Sequence, residues 1–363
     1  MISRTTAEIS GSALRNNYRI LASKSGGLGM LPMVKADAYG HGAVYVAKSL
    51  IKERGLRGFG VATFREAMEL RRGLGASRIP IWIFSDCAPF GVEQARACIQ
   101  HSFEPVFSEI TSLLQFQTLK ESRKIRAHVE LNTGMNRLGI PGDSLPLIRF
   151  QPASLFTHLA DAEHPESPLT RAQIRKFHER VSYGRTRFPG AWVHFANSAS
   201  IWNRSRLPGF SEMDLVRPGL SLYGVRPFEG AREEGLQRVM RMGTRVLNRI
   251  FLEKGDRVGY GGTYQCKKPK GEWIVVVGGG YADGIFRSLS NQGVAYLGSK
   301  KLRFRGRVSM DLSAIEGLPR IKIGDELELW GPRVDPYEQA ELAGTIPYEW
   351  TTRIGSRVER IFK

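Results

Sequence analysis

The chain has few cysteines, no long apolar run and comparatively few acidic residues. Its three cysteines, Cys87, Cys98 and Cys266, cannot all pair and lack the close spacing of zinc ligands. We therefore expect reduced packing cysteines, no disulfide framework and no metal site. The longest apolar stretch, residues 273–277 and the glycines after it, is far shorter than the roughly 18 residues of a membrane span. We expect no transmembrane helix.

Acidic residues are the scarcer charge, since 53 Lys and Arg stand against 35 Asp and Glu and give a net charge of +18. Such a charge raises the question of a nucleic-acid partner. The basic residues are spread along the chain and are not interleaved with aromatic residues, as a stacking platform for bases requires. We interpret them as a solvated surface with no specific nucleic-acid partner. The start of the chain lacks an apolar segment behind Arg4, which favours a cytoplasmic protein.

An alternation of apolar runs and helical patterns dominates residues 28–225. Eight short apolar runs predict strands, and amphipathic stretches such as 12–22, 64–74 and 171–180 predict helices between them. Eight strand–helix units in about two hundred residues favour a closed parallel (β/α)8 barrel, within the α/β class, over an open doubly wound sheet. The predicted strands are 29–34, 58–62, 81–84, 104–107, 127–131, 154–157, 191–195 and 214–216.

The pattern changes after a charged, Gly-containing spacer at 228–235. Short β-rich segments bounded by Gly or Asp follow it, and helical periodicity is scarce. We therefore expect two domains, the barrel over 1–228 and a smaller, mainly β domain over 229–363, with residues 1–10 as candidates for packing against the second domain. The β-rich segments include 244–251, 272–277, 293–297 and 326–330.

Polar residues follow several of the predicted barrel strands, where the active site of such a barrel lies. Lys35 directly follows the first apolar run, and burial lowers the pKa of a lysine amine, as a Schiff-base nucleophile requires. Asn197 and Ser198 follow the seventh run, and Gly219 follows the eighth; loops in these two positions commonly bind phosphate through neutral donors. The other polar residues at these ends are Glu130, Asn132, His158 and Arg217.

Six motifs in register together resemble one known family. Each is weak alone, but all occur in the family's order, and the chain is similar to the pyridoxal-phosphate-dependent alanine racemases from residue 4 to about residue 360. The motifs are 34–42 (VKADAYGHG), 132–139 (NTGMNRLG), 216–219 (VRPG), 259–261 (GYG), 280–284 (GYADG) and 306–311 (GRVSMD).

The resemblance implies a cofactor, pyridoxal 5′-phosphate, that is bound covalently to Lys35. It also implies two catalytic bases, because racemisation needs one on each face of the substrate α-carbon; Lys35 matches one and Tyr260 the other. His158 and Arg217 match an electrostatic network beside that phenol, and Arg217 matches the arginine at the pyridine nitrogen. The family further implies that Tyr260 comes from a partner subunit, so that a homodimer shares its active sites.

Other residues match positions around the cofactor and the substrate. Arg137 matches an arginine near the cofactor phenolic oxygen and the substrate carboxylate. Met310 and Asp311 match a turn whose methionine amide meets that carboxylate, and Tyr281 matches a tyrosine that narrows the entrance. For the phosphate group the matching residues are Tyr39, Ser198, Gly219, Leu220 and Tyr348, with Asn197 as a further cofactor contact.

The chain departs from the family at two positions. Many members have a lysine, modified to a carbamate, where this chain has Glu130, and an aspartate where it has Asn132. A glutamate supplies the same negative charge directly and is able to hold Arg137 through charge-assisted hydrogen bonds. We predict that no lysine carbamate is present here.

Interconversion of L- and D-alanine, supplying D-alanine for a bacterial cell wall, is the function that the resemblance implies. Racemisation of serine or of a wider range of amino acids stays open, because the sequence does not give the dimensions of the pocket. A decarboxylase with the same barrel and β domain requires an acidic residue at the pyridine nitrogen, where this chain has Arg217. A non-catalytic carrier of the cofactor needs no second domain with Tyr260 and Met310.

Overall fold

The computed structural model of this chain describes residues 3–363. A first strand, β1 (Thr5–Ile9), precedes the barrel. All eight predicted barrel strands are confirmed; each starts within one residue of its predicted start, and most are shorter than predicted. They are β2 (Gly29–Met30), β3 (Phe59–Val61), β4 (Ile81–Ile83), β5 (Phe103–Phe107), β6 (His128–Glu130), β7 (Ser154–Phe156), β8 (Trp192–His194) and β9 (Leu215–Val216).

Parallel pairing joins these eight strands into a closed ring. β3 to β8 form one sheet in chain order, and β2 pairs with β9. A hydrogen bond from Val34 N to Gly60 O (2.8 Å) joins the two sheets on one side, and one from Asp214 N to Val193 O (2.9 Å) joins them on the other. The barrel prediction is therefore confirmed, and the carboxyl ends of the strands share one rim.

The helices of the barrel unit are α1 (Gly11–Lys24), α2 (Lys35–Tyr39), α3 (Ala43–Leu50), α4 (Phe64–Leu74), α5 (Val92–His101), α6 (Ile110–Thr118), α7 (Pro168–Arg187) and α8 (Ser198–Trp202). Local sequence explains where the longer ones begin. A capping box between Thr63 and Glu66 starts α4, and Ser167 caps α7 ahead of Pro168 in its first turn. These helices place the polar residues of the βα loops at the rim.

The second unit is mainly β, as predicted. Its strands are β10 (Met240–Leu252), β11 (Arg257–Val258), β12 (Tyr264–Gln265), β13 (Glu272–Val277), β14 (Val294–Leu297), β15 (Lys300–Arg303), β16 (Ser313–Glu316), β17 (Glu326–Trp330) and β18 (Glu359–Phe362). The long β10 pairs with β1, β13 and β17, and β1 lies between β10 and β18. The first strand of the chain is therefore part of the sheet of the second unit.

Two short helices, α9 (Pro336–Ala343) and α10 (Pro347–Thr352), also belong to this unit. The sequence analysis did not identify them, because eight and six residues are too few for a helical period to stand out. Asp335 caps α9 and proline begins both helices, which is the local signal that marks them.

The described residues bear on membrane spans, metal sites and disulfides. No helix within residues 3–363 is long and apolar enough to cross a membrane. The same residues include no group of three or more His, Cys, Asp or Glu placed to hold a metal ion. The three cysteines are buried and unpaired with one another.

Candidate active site

A cavity of about 720 Å³ opens at the carboxyl rim of the barrel. It brings together residues from the ends of several strands, which only barrel closure places side by side. Most of the expected site residues line it: Lys35, Tyr39, Glu130, Arg137, His158, Asn197, Ser198, Arg217, Gly219, Leu220 and Tyr348.

Lys35 begins α2, which is a turn of unusual handedness. The next four residues, 36–39, all have positive φ, between 51° and 56°, so this turn is left-handed. A non-glycine residue in that conformation costs about 1–2 kcal/mol, and such a segment persists only where its surroundings hold it. Glu66 accepts a hydrogen bond from Ala36 N (2.8 Å), and His41 Nδ1 donates to Ala38 O (3.0 Å) and Tyr39 O (2.9 Å). These two side chains hold the turn.

The Lys35 amine has a lowered pKa. Burial within the cavity is the main cause, and the nearby cations Arg137 and Arg217 add to it, while carboxylates oppose it. Burial and the two arginines make the ammonium form less stable, so the neutral amine is more accessible near neutral pH. A neutral amine is the form that attacks a carbonyl carbon.

Arg217 is a buried cation that faces the same cavity, with only 4% of its surface exposed. Its guanidinium donates to His194 Nδ1, to Thr157 O (2.9 Å) and to His158 Nδ1 (3.3 Å). Burial lowers the Arg217 pKa to about 10, so the group stays charged at neutral pH. Burial and the positive charge of Arg217 lower the His158 pKa to about 3, so His158 is neutral.

Neutral polar groups gather where β8 and β9 end. Ser198 Oγ accepts from Gly219 N (3.0 Å) and Ser221 N (3.4 Å), and the buried Ser221 hydroxyl has no hydrogen-bond partner in the described structure. A Cβ at residue 219 would meet the Tyr39 hydroxyl at 2.5 Å, so any side chain there would displace the Tyr39 ring. Burial raises the Tyr348 pKa to about 12, which keeps its hydroxyl a donor. Unused neutral donors fit a phosphate ester.

Asn197 has a different local contact. Its side-chain oxygen accepts from Ser200 N (3.0 Å) and Ser200 Oγ (3.1 Å), and it thereby caps α8. The residue lines the cavity, but that oxygen is engaged by the helix.

Glu130 does not make the hydrogen bonds to Arg137 that the sequence analysis expected. Its carboxylate accepts from Ser108 Oγ (2.7 Å), and no ion pair within 4.0 Å joins it to Arg137 in the part of the chain that the structure describes. The reason is that Ser108, at the end of the neighbouring β5, offers a closer donor, while Arg137 lies on an exposed loop. Burial raises the Glu130 pKa, and the cations Arg217, Arg137 and Lys35 oppose that rise.

Four expected residues lie outside this cavity, on the second unit. Tyr260 (73% exposed) lines a groove of about 470 Å³ together with Ser309. Tyr281 N donates to Ser309 O (2.9 Å), which places the Tyr281 and Met310 loops side by side. The Asp311 carboxylate pairs with Arg357 (2.7 Å). We call Tyr260, Tyr281, Met310 and Asp311 the exposed cluster; within one chain the expected site is thus divided into two parts.

Two residues of the site were not identified from the sequence. His194 is the second residue from the end of the predicted seventh strand, and the period of two along that strand was the available signal that it faces the barrel interior. Glu66 was interpreted only as part of a helical pattern. Its contact with Ala36 N spans 30 residues, and no local pattern predicts it.

Comparison with known proteins agrees with both units. Residues 9–227 match the model of the alanine racemase N-terminal domain, and residues 239–362 match that of the C-terminal domain. The chain is 33% identical to the alanine racemase of Carboxydothermus hydrogenoformans, over 98% of each chain.

Solved structures show the same relationship. The alanine racemase of the D-cycloserine producing Streptomyces lavendulae has a TM-score of 0.88 and 29% identity, covering 100% of this chain and 98% of its own. The alanine racemase of Bartonella henselae, solved with covalently bound pyridoxal phosphate, has a TM-score of 0.86 and 29% identity, with 100% of both chains covered. This chain therefore belongs to the alanine racemase family.

Proposed function

We propose that this chain interconverts L- and D-alanine with pyridoxal phosphate as its cofactor. The observation on which this rests is one cavity in which a lysine of lowered pKa, a buried arginine and a set of unused neutral donors meet. Membership of the alanine racemase family favours this activity over a decarboxylase or a carrier. D-alanine made in this way is available for cell-wall synthesis.

The residues present fit the cofactor and divide the work between them. Pyridoxal phosphate, when bound, supplies a conjugated ring that spreads the negative charge left on a substrate α-carbon after its proton departs. Lys35 Nζ holds or returns the proton on one face, and the Tyr260 hydroxyl serves the opposite face. Arg217, a guanidinium that keeps its charge, would donate to the ring nitrogen and would leave that nitrogen unprotonated. Arg137 attracts the substrate carboxylate.

The phosphate group is held by neutral donors in this proposal. Tyr39, Tyr348 and the Ser198 hydroxyl reach it from side chains, and Leu220 offers a backbone amide. Gly219 lies beside it, and its amide holds the Ser198 hydroxyl in place. Met310 contributes its backbone amide to the substrate carboxylate, next to Asp311, and Tyr281 narrows the entrance.

A homodimer with shared active sites completes the proposal. The exposed cluster does not line the barrel cavity of its own chain, so a second copy is needed to bring Tyr260 to Lys35. Apolar side chains flank the groove at Tyr260 and suit burial by that copy: Ile250 is 39% exposed, Leu312 37% and Met310 52%. A cytoplasmic location also belongs to the proposal, because three unpaired cysteines suit a reducing compartment.

Glu130 takes the place of a carbamate as the negative charge among Lys35, Arg137 and Arg217. Its carboxylate acts on these cations through space rather than through a hydrogen bond to Arg137. We expect the intact mass of the protein to show no added carboxyl group, and its activity to be the same with and without bicarbonate. A bicarbonate-dependent activity would contradict this role.

Chiral analysis tests the proposed reaction. L-Alanine is incubated with the protein and pyridoxal phosphate in heavy water, with Lys35→Ala as the matched variant and L-serine as a second substrate. We expect α-deuterated D-alanine from the wild type only. Absence of D-alanine from a protein that demonstrably binds pyridoxal phosphate would refute alanine as the substrate.

A further inference from the structure

A row of hydrogen-bonded side chains leads from Arg217 through the interior of the barrel. Arg217 contacts His194 Nδ1, and His194 Nε2 lies 3.2 Å from Ser154 Oγ. Ser154 Oγ lies 2.8 Å from His128 Nδ1, and His128 Nε2 lies 2.8 Å from Glu104 Oε2. Arg126, which precedes β6 at the opposite end of the barrel, pairs with Glu104 Oε1 at 3.0 Å. We call Ser154, His128 and Glu104 the relay.

We propose that the relay positions Arg217 against the cofactor ring by fixing the tautomer of His194. This inference rests on the proposed function for its consequence in catalysis. Its structural core, the tautomer of His194, is measurable whatever the protein's substrate.

The charges of Arg217 and Glu104, at the two ends of this row, allow only one arrangement of its protons. An arginine is only a donor, so His194 Nδ1 must be the acceptor and His194 Nε2 must hold the proton. The His194 Nε2–H then donates to Ser154, and the Ser154 hydroxyl donates to His128 Nδ1. His128 Nε2–H finally donates to the Glu104 carboxylate, which only accepts. Every donor therefore points away from Arg217.

Burial and ring stacking prevent the side chains of the row from rotating, so rotation cannot reverse the direction in which they donate. Ser154, His128 and His194 have no exposed surface, and burial lowers the pKa of both histidines, which keeps them neutral. Trp82 stacks on the His128 ring (centroids 3.4 Å apart), and Phe156 stacks on the His194 ring (4.6 Å). Hydrogen bonds alone would satisfy these buried groups in either direction; Arg217 at one end and Glu104 at the other select one.

The variant Glu104→Gln tests the direction with almost no change of shape. Arg126 donates to Oε1 of residue 104, so the amide oxygen of glutamine turns towards Arg126 and its NH2 group faces His128 Nε2. His128 Nδ1 then holds the proton, Ser154 donates to His194 Nε2, and His194 Nδ1 carries an N–H that faces the Arg217 donor. The Arg217–His194 hydrogen bond is thereby lost, and the guanidinium moves from its place. The double variant Glu104→Gln/Arg126→Ala frees the amide to turn back.

Nitrogen-15 NMR of the seven histidines, labelled in the pyridoxal-phosphate-loaded protein, reads the tautomer directly. We expect His194 to hold its proton on Nε2 in the wild type and in the double variant, and on Nδ1 in Glu104→Gln. The visible absorption band of the bound cofactor should shift in Glu104→Gln, and kcat should fall about tenfold with recovery in the double variant.

Two further variants separate positioning from loss of stability. Glu328→Gln changes a buried carboxylate that bridges arginines in the second unit, and it should leave the His194 tautomer and the cofactor spectrum unchanged. Ser154→Ala removes the hydroxyl that joins His194 to His128 and should mix the two His194 tautomers. An unchanged His194 tautomer in both Glu104→Gln and Ser154→Ala would overturn the proposal. A tautomer that reverses in a protein without racemase activity would instead refute the proposed function alone.

Discussion

At the scale of single residues, the charges around the Lys35 amine decide its protonation. Glu130 favours the ammonium form, so removing its charge should lower the Lys35 pKa further. In Glu130→Gln we expect the rate at which the apoprotein takes up pyridoxal phosphate to reach its alkaline plateau at a lower pH. The measurement is the appearance of the cofactor's visible band across a pH series.

The control for this prediction is Ser108→Ala, which removes the hydrogen bond to Glu130 but leaves the charge. It should move the uptake profile less than Glu130→Gln does. Equal profiles in the wild type and Glu130→Gln would show that this carboxylate does not act on Lys35.

A second residue, His41, links stability to pH. Burial lowers its pKa from 6.5 to about 4, so between these values the unfolded chain binds a proton that the folded chain does not. The free energy of unfolding therefore rises with pH across that window, by about 1.4 kcal/mol per pH unit from this group. His41→Asn, which keeps a donor for the turn, should lose that part of the slope in urea unfolding measured at several pH values.

His164 offers the opposite case for comparison. It is exposed, and its hydrogen bond to Asp161 raises its pKa. Its contribution to the free energy of unfolding is therefore lost as pH rises rather than as pH falls. His164→Asn should alter the slope little and in the reverse sense. A slope that is unchanged in His41→Asn would contradict the buried, neutral state of that ring.

At the scale of elements, the left-handed turn after Lys35 holds alanines where glycine is the favoured residue. Ala36→Gly relieves the clash at a φ of 51° and keeps the N–H that Glu66 accepts. We expect the free energy of unfolding to increase by about 1 kcal/mol, as measured by urea unfolding.

The same substitution in an ordinary helix should change the free energy of unfolding in the opposite direction. Ala97→Gly, in the right-handed α5, is expected to lower the free energy of unfolding by about 1 kcal/mol. If both variants were destabilised alike, the turn would not be strained.

This turn also shows what the sequence could and could not predict. The eight barrel strands were predictable because burial on both faces leaves continuous apolar runs, and Lys35 and Arg217 stood directly after two of them. The handedness of residues 36–39 was not, since alanine and tyrosine disfavour positive φ and the turn depends on contacts with Glu66 and His41. The missing Glu130–Arg137 contact has a similar origin, because Ser108 competes from another strand.

At the scale of the whole molecule, the divided site predicts complementation between two inactive variants. Lys35→Ala lacks a residue of the barrel cavity, and Tyr260→Phe lacks one of the exposed cluster. In a mixed dimer with shared sites, one site has both changes and the other has neither. Coexpression in equal amounts should restore about a quarter of wild-type activity, since half of the dimers are mixed and each has one intact site.

The assay is racemisation by the coexpressed, purified mixture, with each variant alone as the control. Activity no greater than that of the two variants alone would contradict a site shared between subunits.

The position of β1 has a consequence for the order in which the molecule is completed. The strand is made before the barrel that follows it, yet its partners β10 and β18 begin at residues 240 and 359. During synthesis its backbone donors and acceptors stay unpaired while the whole barrel is made, and the barrel closes from local βα units without it. One edge of β1 therefore stays unpaired until β10 has been made, and its other edge stays unpaired until β18 has been made.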